Sequence, residues 1–454
     1  MFATLRLGVT PHPVNVGRRS QFLALMALAA VVIAFGMQPA GALGPGLPPL
    51  AKSSNVQLLG NVPTGPALGM VFKDHWAFVT GPAGLTVLDI AVPAAPVIVA
   101  VHPLPHFENE DVDLCGNTVL ITNDREARDL GSILYAFDIS TPSSPALVSA
   151  TPVGLTGNGR GAGHIANFVS ADCSQMWLDG GDLVEVFDMS DPAAPRSLGK
   201  FESVASQSAN FRVSHDTERD SKGVLWSVGG GGAAGYQLTA DPLAPRLVSS
   251  TGAAAVNPSP YNDFILHNSK RNGKTLLITE EDYVDTDETP PGGCRGQGKF
   301  ETWSIGMRPG GLAPLDTWMT EMNGSDSKAA ATINCSSHWF EVSKDLVAVG
   351  WYEQGTRFLD VHDPSNIRQV GFYLPANGST WGAYWSPTDP TRRIVYTADA
   401  YLGVDVLRID RKADLSTMST LAAPIPASWF TTTPAYLPSD TWQFACPWTD
   451  VAVG

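Results

Sequence analysis

Basic residues are scarce in this chain. Lys and Arg number 29 against 44 Asp and Glu, a formal net charge of −15. A surface of that sign repels polyanions, which excludes nucleic acid as a partner and argues against anionic lipid. Charged residues of both signs make up only 16% of the chain, while Gly and Pro contribute 44 and 35 residues. With few long helical patterns, that balance indicates an all-β protein rich in turns. Cysteine is sparse as well. Cys115, Cys173, Cys294, Cys335 and Cys446 show no CxxC spacing, which argues against a cysteine zinc site. Their odd number leaves at least one unpaired. There is no G-x-S-x-G elbow, no phosphate-binding Gly loop and no HExxH, and the run Gly229 to Gly232 reads as a turn.

Long apolar runs are also missing, with one exception near the start. Phe22 to Phe35 follows Arg18-Arg19 and precedes the small-x-small triplet Ala40-Gly41-Ala42. The run is short for a membrane span, and the pattern predicts an export signal over residues 1–42. The paired arginines suggest a twin-arginine signal, but Gln21 stands where that motif wants an apolar residue, so the general secretory route is equally consistent. A secreted or cell-surface protein without stable membrane insertion is therefore expected. Without the three arginines of this segment the net charge is about −18.

What the chain does have is a phrase repeated seven times. The copies begin at Gly84 (GLTVLDIAVPAAP), Ser132 (SILYAFDISTPSSP), Asp182 (DLVEVFDMSDPAAP), Ala233 (AAGYQLTADPLAP), Lys299 (KFETWSIGMRPGGLAP), Thr356 (TRFLDVHDPSNI) and Gly403 (GVDVLRID). Each is an apolar strand, then a polar turn, then a second short strand. Asp89, Asp138, Asp188 and Asp360 share one place in four copies, and Leu238, Ile305 and Arg408 hold it in the others. The step is about 50 residues, the period of a β-propeller whose four-stranded blades bury their faces against neighbours. Val56 to Gly60 reads like a fourth strand with no unit of its own, while the last unit ends after its third strand near Asp410. The N-terminal strand is therefore expected to complete the last blade and remove an open edge. The domain reading is an export signal over 1–42, a seven-bladed propeller over 43–410, and a Thr-, Pro- and Ala-rich tail over 411–454 that packs outside or is partly disordered.

The phrases GLTVLDIAVPAAP, YAFDISTPSSP and EVFDMSDPAAP resemble the LVIVD repeat of secreted bacterial β-propeller proteins. The resemblance covers about residues 55–410. It implies a propeller scaffold and carries no established activity. The copies that lack the Asp depart from the pattern.

Aligning the units places His164, His215, His267 and His338 at the start of the first strand in four consecutive units. Glu110-Asp111 and Tyr384-Trp385 take that place in the flanking units. First strands of a propeller line its central channel, so these residues form a ring around one axis. Four imidazoles on a ring suit a transition metal such as iron, copper or zinc. Some propeller oxygenases hold an iron with histidines from several blades, and this arrangement is similar in kind. Glu110 and Asp111 are candidates to accept the rings' outer N–H groups or to bind an ion themselves, as are Glu281 and Asp282 at the start of the longest insertion, Glu280 to Gly298. The carboxylates of that insertion are also calcium candidates. The competing reading is that His215-Asp216 and His267-Asn268 merely satisfy local backbone groups. Tyr384 and Trp385 are candidates for a ligand face.

Cys294 and Cys335 are expected to share one face and form a disulfide that ties the insertion over the channel. Cys115 and Cys173 occupy equivalent turns of successive blades, a spacing expected to be too wide for a bridge, which leaves them free or paired with Cys446. Two functions follow. One is an extracellular binding or scaffold module for a protein, glycan or small ligand. The other is a metal-dependent oxidoreductase with the histidine ring at the channel mouth. A hydrolase using Glu or Asp as general base is a third, weaker reading.

Overall fold

The computed structural model describes residues 43–410 apart from 45, 47, 83, 105–110, 124–131, 155–162, 208–211, 252–264, 282–297 and 321–335. The expected export signal, the tail and the Cys294–Cys335 pair lie outside these residues, as does Cys446.

Seven antiparallel sheets make up the fold, each a blade whose strands run outward from a common axis. Blade 3 is typical: Ile165–Phe168 innermost, then Gln175–Asp179, Val184–Asp188 and Arg196–Phe201. Second strands are apolar on both sides, and Leu346–Gly350 of blade 6 is buried at every position. Such a strand faces a neighbouring blade on each side, so its sequence is a continuous apolar run. Each junction between adjacent blades holds its own buried cluster. Between blades 3 and 4, for example, Trp177 meets Phe201 edge-on at 4.8 Å and Tyr236 at 5.9 Å, measured between ring centroids.

The repeated Asp makes the turn between third and fourth strands. Asp89, Asp138, Asp188 and Asp360 each accept the backbone N–H two residues on, at 2.8–3.0 Å. This is an Asx turn, in which a short carboxylate replaces a backbone acceptor. The next residue then donates its N–H back to the turn between first and second strands, as Ile139 does to Asn117 at 2.8 Å.

The last blade is closed as expected. Val56–Val62 pairs antiparallel with Gly403–Ile409, Val56 opposite Ile409 and Val62 opposite Val404. Ala51–Lys52 also adds a fifth strand to blade 6 against Leu374 and Tyr373, which the repeat pattern did not reveal. The chain start thus covers the edges of two neighbouring blades.

The separation expected between Cys115 and Cys173 is wrong: they form a disulfide with Cα atoms 5.6 Å apart. Cys115 ends the innermost strand of blade 2, Val112–Cys115, and Cys173 sits in the first turn of blade 3. Innermost strands lie where neighbouring blades converge, close enough for the Phe168 N–H to donate to Asp113 Oδ2 at 2.7 Å. Equivalent positions are too far apart only farther from the axis.

Two outcomes are expected. A chain beginning at Gly65 lacks both edge-covering strands and should be recovered as aggregate, as judged by size-exclusion chromatography, because the third strand of blade 7 is left open. Soluble monomer would refute ring closure by this strand. Trp177→Ala should cost about 3–5 kcal/mol in denaturant unfolding.

Candidate functional site

Histidines from four blades converge on the axis. His215 and His267 are fully buried, and His164 and His338 nearly so. The ring centroids step from His164 to His215 to His267 to His338 at 4.7, 4.2 and 3.9 Å. Irregular backbone aims two of them. The pairing register shifts between Ser214 and Asp216 and between Leu266 and Ser269, which places His215 and His267 in β-bulges. A bulge re-aims one side chain without abandoning the strand. His164 sits just before its strand, and its carbonyl accepts from Thr122 Oγ1 at 2.6 Å.

Hydrogen bonding settles the tautomers of two rings. His215 Nδ1 lies 3.0 Å from the carbonyl of His267, and His338 Nδ1 lies 2.8 Å from that of Trp381. A carbonyl only accepts, so each Nδ1 carries a proton, and each Nε2 is left to face the other histidines and Glu281. This outer hydrogen bond is the arrangement that orients metal-ligating histidines. His164 Nε2 lies 3.1 Å from His215 Nε2. Two nitrogens each about 2.1 Å from one ion stand roughly 3.0–3.4 Å apart between right-angle and tetrahedral bond angles.

A carboxylate joins them. Glu281 is fully buried, with Oε2 3.7 Å from His267 Nε2 and Oε1 3.7 Å from His338 Nε2. Tyr352 donates its hydroxyl to Glu281 Oε1. One donor atom each from His215, His267 and Glu281 all lie within 4.8 Å of one another. Imidazole and carboxylate are donor types that a first-row transition ion takes, and the 3.7 Å separations here are wider than the roughly 3.0–3.4 Å between two bound ligands.

The other expected residues divide. Asp111 shares a void of about 20 Å³ with His338 and accepts the Ala166 N–H at 2.8 Å. Tyr384 lines the same void, lower on the axis than the histidines. Trp385 packs on Phe358 between blades and donates to the Glu341 carbonyl at 3.2 Å. Trp381, not Tyr384, stands level with His338, at a centroid distance of 5.0 Å, because a bulge between Thr380 and Gly382 shifts the register of blade 7. Glu280, beside Glu281, instead accepts the backbone N–H of Lys299 at 3.1 Å. Glu110 and Asp282 lie outside the described residues. Asp216 bonds across to Asn167 Nδ2 at 2.8 Å, and Asn268 accepts from Thr279 at 2.7 Å.

Below the histidines the inner strands carry a second polar layer that the sequence reading missed. Asp113, Asn167, Glu218, Lys270 and Glu341 line a cavity of about 330 Å³ at the far end of the axis. Lys270 bridges Glu218 and Glu341, the latter at 3.2 Å. Burial works against its charge, yet the two carboxylates hold the ammonium above its ordinary range. Burial pushes Asp113 up to about 6 from an ordinary 3.8, against the hydrogen bonds from Phe168 and Leu114. The signal was the two-residue period of a strand: Asp111 and Asp113, Asp216 and Glu218, Asn268 and Lys270, Trp339 and Glu341.

Comparison with known proteins supports the architecture. The LVIVD repeat family profile matches residues 132–151. A protein from Bacteroides uniformis described as a candidate 6-phosphogluconolactonase is similar over 72% of this chain and 89% of its own, at 15% identity and a TM-score of 0.50. A protein from Lactobacillus plantarum is similar over 73% of this chain and 87% of its own, at 10% identity and a TM-score of 0.51. Identities this low speak for the fold alone. No curated protein matches the sequence. The chain is thus a seven-bladed β-propeller that carries an LVIVD repeat at residues 132–151. Among the described residues no helix is long and apolar enough to cross a membrane.

The raised Asp113 carboxyl has a consequence for stability. The folded state favours its protonated form, so its contribution is full below pH 3.8 and is lost as pH rises through about 6. The melting temperature should decline over that window, and Asp113→Asn should flatten part of the decline. An identical slope in the variant would contradict the assignment.

Proposed function

We propose that this propeller is a metal-dependent oxidoreductase, with a first-row transition ion held on its axis by His215, His267 and Glu281 and supported by His164 and His338. The observation that carries the reading is the convergence of these buried side chains, with the rings of His215 and His338 oriented by hydrogen bonds from Nδ1. A two-histidine, one-carboxylate set suits non-haem iron(II), and the further imidazoles also suit copper or zinc. When bound, iron supplies open positions for dioxygen or substrate.

The protein's own residues orient and insulate. The carbonyls of His267 and Trp381 fix ring tautomers, Tyr352 holds one oxygen of Glu281, and the Trp381 ring walls the site beside His338. We also place the protein outside the cytoplasm. The Cys115–Cys173 disulfide is of a kind that persists in oxidising compartments, and the Phe22 to Phe35 pattern is of a kind that export signals carry. An extracellular binding or scaffold module with no metal is the second reading, favoured by the repeat match at 132–151.

Elemental analysis separates the two. Protein purified without chelator should hold about one equivalent of iron, copper or zinc per chain, and His215→Ala/His267→Ala should hold less than a tenth of that. Metal at 1,000 times its Kd should stabilise the fold by about 4 kcal/mol in unfolding titrations. If the native chain takes up none of the three ions after supplementation, the oxidoreductase reading fails and the binding-module reading stands.

A further inference from the structure

We propose that metal reaches the histidine centre along the propeller axis from the Cys115–Cys173 end, through a column of carboxylates plugged by Lys270. The proposal rests on the metal reading above. A centre this buried needs a route by which an ion arrives. The cavity of about 330 Å³ supplies its outer half, with Asp113, Glu218 and Glu341 on the wall. Met70, Val112 and Trp339 line both that cavity and the void of about 20 Å³ that touches Asp111 and His338. One layer of side chains therefore separates the cavity from a space large enough for a single water beside the histidines.

Asp216 lies on the strand that lines the cavity through Thr217, Glu218 and Arg219. It is two residues from Glu218 on one strand, Ser214–Arg219, so both project from the same face. Asp216 is fully buried; Oδ1 accepts from Asn167, and Oδ2 has no hydrogen-bond partner among the described residues. The next residue back is His215. Acidic groups thus mark the axis from cavity to centre: Glu218, Glu341 and Asp113, then Asp216 and Asp111. A cleft lined by one sign of charge, with low-dielectric walls, concentrates the counter-ion and speeds its arrival.

Lys270 is the one basic side chain in the middle of this column among the described residues, with Arg219 at the cavity rim. Its ammonium bridges Glu218 and Glu341 and lies 5.0 Å from the centre of the Trp339 ring, the residue that separates the two spaces. An incoming divalent ion competes for the same two carboxylates, and the lysine must swing aside to let it pass. In this role Lys270 governs the rate of loading and leaves the final coordination unchanged.

The test is stopped-flow uptake of Co²⁺ by chelator-stripped protein, followed through the visible bands of histidine-bound cobalt. Glu218→Gln and Glu341→Gln are made singly, so that Lys270 keeps one partner. Each should slow uptake by about three- to tenfold and end on the wild-type spectrum. Lys270→Met should load faster than wild type. Asp188→Asn and Asp360→Asn remove the same charge from third-to-fourth-strand turns and should load at the wild-type rate. Wild-type rates in both axial Glu variants, or equal slowing in the turn variants, overturn the route. A wild-type chain with no cobalt band removes the metal reading and the route with it, whereas normal bands with unaltered axial rates remove the route alone.

Discussion

Ring closure is the constraint on which the rest depends. Seven blades can share an axis only if the last one meets the first, and the last unit supplies only three strands of its own. Val56–Val62 supplies the fourth, some 340 residues from its partner Gly403–Ile409. That pairing brings blade 7 against blade 1, where Tyr384, Tyr396 and Val404 bury themselves with Met70, Val79 and Leu88. The junctions between blades 3 to 6 have clusters of their own, and this last contact closes the ring around the axis on which four histidines far apart in sequence meet. The local grammar of Asx turns and apolar second strands makes blades. Long-range pairing of the two chain ends makes the axis.

Much of this was legible because it is periodic. The Asp of the repeated phrase could be read as a turn former, since its side chain acts on the next two residues, and Asp138 and Ser140 bear that out. Spacing also placed four histidines at equivalent positions. What escaped were departures from periodicity. The bulges that hold His215 and His267 add a residue to one strand, and nothing in an isolated strand announces that. A bulge of the same kind puts Trp381 rather than Tyr384 at the level of His338. The Cys115–Cys173 bridge was missed for a different reason: the distance between equivalent positions depends on how far each lies from the axis, and a one-dimensional alignment treats all positions alike.

The axis is lopsided in charge, and the lopsidedness follows the blades. Blades 2 to 6 present Asp111, Asp113, Asp216, Glu218, Lys270 and Glu341, while blade 1 offers Leu68 and Met70 and blade 7 offers Tyr384. Burying several carboxylates around one ammonium is expensive unless each is paired or hydrogen-bonded. The structure meets part of that cost with backbone N–H groups from Ala166, Phe168 and Leu114 and part with Lys270. Asp216 is left with burial against it and Glu218 and Asp111 nearby, which together hold its carboxyl well above the ordinary range. A fold selected for stability alone would fill this space with apolar side chains, as it does beside blade 1.

The same reasoning bears on the histidines. In a repeat protein each unit touches only its neighbours, so stability spreads through nearest-neighbour interfaces and a weak junction can open independently of the others. An ion bound by His215, His267 and Glu281, with His164 and His338 beside it, would tie four consecutive blades through one point. Among the described residues no hydrophobic cluster does this, since each blade junction has its own. The N-terminal strand closes the ring at blade 7, and the ion would lock blades 3 to 6 at the centre. Two local devices, far apart in the chain, would then make a modular array behave as a single cooperative unit.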